Sequence, residues 1–162
     1  MDTSTAPRRL HLIDVENLVG HGRPDLHDLH ACCDAYRSLG LLTDHDLVVI
    51  GCNPGPLFEV SACWGTARCV TRHGPSGADL ALLDVLIHER IDQRFTEIVL
   101  ASGDGIFTEV IADLQRLGVA VTVVAPATSL SRRLRLAASR VVEFHRPNVL
   151  TPPVALVAKA VA

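Results

Sequence analysis

The stretch Leu10-His11-Leu12-Ile13-Asp14-Val15-Glu16-Asn17 is an apolar run that ends abruptly in acids and an amide. Its first part, Leu10–Asp14, has the leucine-rich and β-branched make-up of a buried strand. Five further runs repeat it, at Leu47–Gly51, Ala67–Thr71, Ile98–Ala101, Val121–Val124 and Val141–Phe144. Segments with helical spacing lie between them. The clearest is Asp104–Leu117, where Ile106, Val110, Ile111, Leu114 and Leu117 form one stripe and Gly118 supplies the stop. Another helix is expected from Pro24 or Asp25 to Gly40, one after Asn53-Pro54-Gly55, one from near Gly77 to about Ile91, and a last one starting at the capping residue Thr128 or Ser129. Strands that are apolar along their whole length and alternate with helices indicate an α/β fold, a three-layer doubly wound domain with a mainly parallel central sheet. Such sheets bind ligands beyond the carboxyl ends of their strands, which directs attention to the polar residues there.

The composition agrees with one soluble globular domain and removes several functions. The chain has 162 residues, of which 48% are apolar and 4% aromatic. A domain of this size buries roughly 68–70% of its unfolded surface and needs no disulfide or metal in order to fold. The five cysteines are odd in number and form no Cys-x-x-Cys pair, which argues against a disulfide framework or zinc ribbon. A formal net charge of −3 disfavours a protein that coats nucleic acid by bulk positive charge. Lys159 is the only lysine, so the expected domain offers no lysine to cradle a phosphate or form a Schiff base. Apolar runs fall far short of the ~18 residues that suggest a membrane span, and Met1–Arg9 lacks the apolar core of a signal peptide, so the cytoplasm is the expected compartment.

Three acids follow strand ends or open a helix. Asp14 closes the first run, Asp104 follows the fourth in Ala101-Ser102-Gly103-Asp104, and Asp79 opens a helix after His73-Gly74-Pro75-Ser76-Gly77. Taken singly, each is also what a helix start wants, because a carboxylate accepts free backbone N–H groups there. Taken together at the ligand end of the sheet, they are expected to converge. Two carboxylates about 4 Å apart repel by ~4 kcal/mol at an effective dielectric near 20, and a hard divalent cation such as magnesium or manganese relieves this. Phosphodiester hydrolysis is the chemistry such a site suits. Glu16 and Ser102 are supporting candidates, and Asn17 could orient a water or phosphate oxygen. Asp84 lies five residues past Asp79, about 140° around a helix, so it reaches the cluster only at its edge if at all.

Ile13-Asp14-Val15-Glu16-Asn17, Gly77-Ala78-Asp79-Leu80-Ala81-Leu82 and Ala101-Ser102-Gly103-Asp104-Gly105-Ile106-Phe107 resemble, in order, the three motifs of the NYN branch of PIN-like nucleases, across about residues 9–145. The resemblance implies a PIN-like fold and a metal-dependent endoribonuclease using Mg2+ or Mn2+ on RNA. It also implies that Asp14, Asn17, Asp79 and Asp104 form the catalytic site, with Ser102 in support. It divides the chain into an N-terminal extension (1–8), the domain (9–146) and a C-terminal tail (147–162). One position departs from the pattern: many relatives carry a further Asp directly before the Phe, and this chain has Ile106 there.

The densest basic region is Ser131-Arg132-Arg133-Leu134-Arg135, with Arg140 nearby, and its arginines suit RNA phosphates, although a solvated helix face reads the same way. Arg8, Arg9, Arg72 and His73 are candidates to extend it, and His21 is a weak candidate for substrate contact. His27 and His30 beside Cys32 and Cys33 read as surface imidazoles next to buried thiols. The alternatives to a nuclease are an RNA-binding or regulatory module with a weakened site, favoured by Ile106, and a magnesium-dependent phosphatase. The phosphatase reading fits less well, because the position two after Asp14 is Glu16 and no lysine precedes residue 159. A homodimer is a further expectation for a small apolar-rich domain.

Overall fold

The computed structural model describes residues 8–147; the expected extension and tail, Lys159 included, lie outside the described residues apart from Arg8 and Pro147. Six strands form one sheet: β1 (Leu10–Asp14), β2 (Leu47–Cys52), β3 (Arg68–Thr71), β4 (Glu97–Ala101), β5 (Ala120–Ala125) and β6 (Arg140–Glu143). Every pairing is parallel and the order is β3-β2-β1-β4-β5-β6. The chain therefore winds outward from β1 to β3, returns to the centre at β4, and winds outward again to β6. The reversal falls between β1 and β4, where flanking connections diverge and leave a crevice at the carboxyl end. Register sets Ile13 beside Ala101 and Asp14 beside Gly51, so Asp14 and Ser102 leave neighbouring strands at nearly the same level.

Alternation along the strands feeds two cores. Leu10, Leu12, Ile98, Leu100, Val121 and Val123 point to one face, beneath α4 (Gly77–His88), α5 (Ile91–Arg94), α6 (Thr108–Arg116) and α7 (Arg132–Ala137). Ile13, Ile50, Val99 and Val124 point to the other, beneath α1 (Val15–Val19), α2 (Leu26–Ser38) and α3 (Leu57–Trp64). Fully burying a side chain such as Leu12 or Ile50 contributes about 1.5–3 kcal/mol, and coverage of both faces is what an all-parallel sheet requires.

Two helix boundaries and one short helix differ from the sequence reading. The helix expected from Gly77 to Ile91 stops at His88, and Arg90 takes a left-handed φ of 53° before α5 begins. The buried face of α4 runs through Ala78, Ala81, Leu82, Val85 and Leu86, and an unbroken helix would turn Ile91 about 140° away from it. The break buries Ile91 instead. The last helix starts at Arg132 and not at Thr128 or Ser129, because Ser129 N–H closes a turn onto the Pro126 carbonyl and Ser131 N–H donates to the Gly103 carbonyl at 2.8 Å. The short helix α1 has too few residues to carry a periodic signal; Asp14 caps it, and Gly20, at φ 99°, ends it. Among the described residues no helix is long and apolar enough to cross a membrane.

Gly51 lets α4 lie against the sheet beside Asp14. A Cβ there would sit 2.6 Å from Leu82 Cγ and 2.7 Å from the Ala78 carbonyl oxygen, and the latter is backbone that cannot yield without moving the helix. Gly51→Ala is expected to lower stability by about 1–3 kcal/mol, read as a reduced urea midpoint. An unchanged midpoint would show that α4 is not held this closely.

Candidate active site

Asp14 is the last residue of the central strand and is almost fully buried. Its Oδ1 accepts the Asn17 N–H at 3.1 Å and its Oδ2 accepts the Ser102 hydroxyl at 2.9 Å. Ser102 Oγ in turn accepts the Asp104 N–H at 3.2 Å, so this buried hydroxyl joins the ends of β1 and β4. Asp79, in the first turn of α4, comes within hydrogen-bonding contact of the Asp14 carboxyl. Burial, followed by the hydrogen bond and negative charge of Asp79, holds Asp14 well above the usual carboxylate range, against the opposing pull of the Asn17 and Ser102 donors. A cation beside Asp14 would offset this penalty by favouring its charged form.

Glu16 stands at the edge of the same site. Its two oxygens accept the backbone N–H of Asn53 at 2.7 Å and the Asn53 side-chain amide at 2.8 Å. Burial raises its pKa, the Asn53 bonds oppose the rise, and the charge of Asp79 adds to it. Asn53 was legible in the sequence only as the start of an Asn-Pro-Gly turn; nothing in its spacing marked it as the partner of Glu16. The Asn17 side chain also does something the sequence did not disclose: its Oδ1 accepts the Gly103 N–H at 3.0 Å, fastening the β4 loop to α1.

Of the three acids expected to converge, Asp14 and Asp79 meet. Asp104 lies on the adjoining loop, with Oδ1 accepting the Ile106 N–H at 2.9 Å as the cap of a short 3-10 turn, Gly105–Phe107. Among the described residues no group of three or more His, Cys, Asp or Glu side chains is poised to hold a metal. The site is a carboxylate pair with hard oxygen neighbours. Such a donor set fits magnesium or manganese, which commonly take one or two carboxylates and complete their shell with water and substrate phosphate. Asp84 is not part of it: its side chain is exposed and pairs with Arg72 at 3.5 Å, as its angular separation from Asp79 requires.

Arg132 and Arg133 are exposed in the first turn of α7, directly after the Ser131–Gly103 bond, and Arg135 is exposed further along the helix. Arg72 and His73 are exposed on the loop leading to α4. The expected basic track is otherwise corrected. Arg8 and Arg9 stand at the amino end of β1, and Arg140 opens β6, so all three lie at the wrong end of the sheet. Arg9 is committed there, donating from Nη2 to Asp46 at 3.1 Å and to the Leu41 carbonyl at 2.6 Å. His27 and His30 are exposed while Cys32 and Cys33 are buried, and His21 pairs with Asp28 at 3.2 Å.

A cavity of about 730 Å3 lies at that amino end, bounded by Leu10, Leu47, Trp64 and Arg68. Its charges are largely satisfied within the protein: Arg68 and Arg94 both pair with Glu89, and Asp46 is held by Arg9. The like-charged pair of Asp14 and Asp79 lies at the other end, which makes that end the candidate site.

Residues 68–145 match the NYN domain family, a branch of the PIN-like nuclease superfamily. The match takes in just under half of the chain. A crystal structure of a protein of unknown function from Vibrio parahaemolyticus has the same fold, with a TM-score of 0.61 and 17% identity over 90% of this chain and 97% of that one. No curated protein matches the sequence. The family match covers β3 to β6, and hence Asp79, Ser102 and Asp104, whereas Asp14, Glu16 and Asn17 precede it on β1 and α1.

A carboxyl with a raised native pKa stabilises the fold below its unfolded value near 3.8, and that contribution is lost as pH rises through the native value. Asp14→Asn removes the titration. The variant is expected to melt close to wild type at pH 4 and about 2–4 °C higher at neutral pH, the shift that ~1 kcal/mol gives a domain of this size. Millimolar Mn2+ should narrow the neutral-pH gap by stabilising wild type. A gap that is constant with pH would mean the two acids do not face each other.

Proposed function

We propose that this NYN domain is a metal-dependent ribonuclease that hydrolyses RNA phosphodiester bonds, with Asp14 and Asp79 as the metal-holding carboxylates. The observation carrying this reading is the buried Asp14 facing Asp79 at the switch point of the sheet, a pairing that is unfavourable without a cation. Magnesium or manganese held there would supply a Lewis acid for the scissile phosphate and make water a competent nucleophile at neutral pH. Ser102 and the Asn17 N–H aim the Asp14 oxygens, so this ligand is oriented before substrate arrives. Asp104 adds negative charge at the rim and joins the shell in this reading. Asn17 fastens the loop that carries Ser102 and Asp104, and Asn53 holds the Glu16 carboxylate, whose pKa the charge of Asp79 helps to raise. Arg132, Arg133 and Arg135 grip phosphates flanking the cut, each guanidinium offering paired donors. Attack by water in line with the leaving oxygen yields a 5′-phosphate and a 3′-hydroxyl.

The setting of this activity is proposed to be the cytoplasm, with RNA as partner and a homodimer as the candidate assembly. A second reading is a binding module without turnover. It is favoured by Ile106, an exposed aliphatic residue where many relatives have a further acid, and by the engagement of Asp104 in capping the Gly105–Phe107 turn.

End-labelled single-stranded and hairpin RNAs incubated with Mg2+ or Mn2+ separate the two. The nuclease reading expects cleavage that is abolished by chelation and falls at least ~100-fold in Asp14→Asn and Asp79→Asn, since losing a mere outer partner of a metal ligand already costs about 10–100-fold. Salt-sensitive binding without cleavage, weakened by Arg132→Ala and Arg133→Ala, would establish the binding module instead.

A further inference from the structure

Four strand ends are tied together by a ring of contacts that centres on Arg146, a residue just past β6. Its Nε donates to the Leu18 carbonyl at 3.0 Å, and its Nη2 donates to the Asn17 carbonyl at 2.9 Å and to Ser129 Oγ at 3.4 Å. Asn17 Oδ1 accepts from Gly103 N–H, and the Gly103 carbonyl accepts from Ser131 N–H. Gly103 closes the ring sterically, since a Cβ on it would stand 2.4 Å from the Ser129 carbonyl oxygen. The ring thus links the segments that follow β1, β4, β5 and β6, and Asp14 and Ser102 lie on two of them.

We propose that Arg146 is a positioning residue of the active site: its guanidinium clamps the end of α1 and thereby holds the Asn17–Gly103 strap that aims Ser102 at Asp14. The inference rests on the ribonuclease reading for its catalytic consequence but not for its geometry. Two features single out arginine. Consecutive carbonyls at Asn17 and Leu18 take donors from neighbouring nitrogens of one planar group, a match that a single ammonium cannot make. The guanidinium also rests against Gly20, where a Cβ would lie 2.9 Å from Nε and 3.0 Å from Cζ, so the residue that ends α1 leaves open the seat the clamp occupies. The carbonyls it holds belong to the last turn of a five-residue helix, which has no longer hydrogen-bonded body to steady it.

The full-length chain with Arg146→Gln and Arg146→Lys tests the clamp by two readouts. In Mn2+-supported RNA cleavage, kcat is expected to fall at least about 10-fold in both variants while KM changes less than about 2-fold, because misplacement of a catalytic group weakens the chemical step more than substrate capture. In amide hydrogen exchange without substrate, Gly103 should lose protection by about 10-fold or more while Val99, in the core of β4, keeps its own. An unchanged Gly103 amide, equal loss at Val99, or a raised KM with unchanged kcat would overturn the clamp, the last by making Arg146 a phosphate contact. Full recovery in the lysine variant would overturn it too, since charge alone would then suffice. Should wild type not cut RNA, the ribonuclease reading falls and the exchange measurement still decides the clamp.

Discussion

A carboxylate at the end of the central strand, shut away from water and facing a second carboxylate, is the constraint around which this domain is arranged. Asp14 has two good donors, Asn17 N–H and Ser102 Oγ, yet burial and Asp79 outweigh them and keep its proton affinity high. A protein could relieve such a pair by exposing it, separating it or supplying a basic side chain. Here the sheet register holds Asp14 inside, and Gly51 lets the helix bearing Asp79 come close. The cost of the paired charges follows from the rigidity of the surroundings as much as from the two acids.

The opposite end of the same sheet treats buried charge differently. Asp46 receives the N–H groups of Thr43 and Arg9 and the Arg9 guanidinium; although burial works against ionisation, these donors prevail and hold it at about 2. Its Oδ2 lies 3.3 Å from Nε2 of His11, whose Nδ1 meets the Tyr36 hydroxyl at 2.7 Å. Burial lowers the His11 pKa, with Asp46 opposing, so the ring stays neutral at neutral pH. Every strong donor and acceptor in that network has a partner within the chain, which makes it a structural lock between β1, α2 and the loop before β2. Perturbed titration alone does not distinguish the two ends; incomplete neutralisation does.

Parallel winding also explains why loops far apart in sequence act together. Segments after β1, β4, β5 and β6 emerge at one rim, and small residues let their backbones touch: Gly103 meets Ser129, and Gly20 underlies Arg146. Asn17 and Arg146 hold this rim by hydrogen bonds to main chain, beside the loop that carries Ser102 and Asp104.

Much of this was legible in the residues. Apolar strand runs located all six strands, because full coverage of a parallel sheet demands continuous hydrophobicity; the motif residues Asp14, Asp79 and Ser102 were marked by their places at strand ends and a helix start. Periodicity could not foresee the break at Arg90 or the late start of α7, since each depends on a partner across the fold: a core that takes in Ile91, and a Gly103 carbonyl that takes the Ser131 N–H. The same holds within the site. Composition and spacing nominated three acids, but three-dimensional packing alone selected Asp14 and Asp79 for contact, turned one oxygen of Asp104 to a local cap, sent Arg9 to the far end, and brought Asn53 and Arg146 in. Local chemistry is written in neighbours along the chain, whereas hydrogen bonds between residues 17 and 103 or 17 and 146 exist only once the sheet has set the distances.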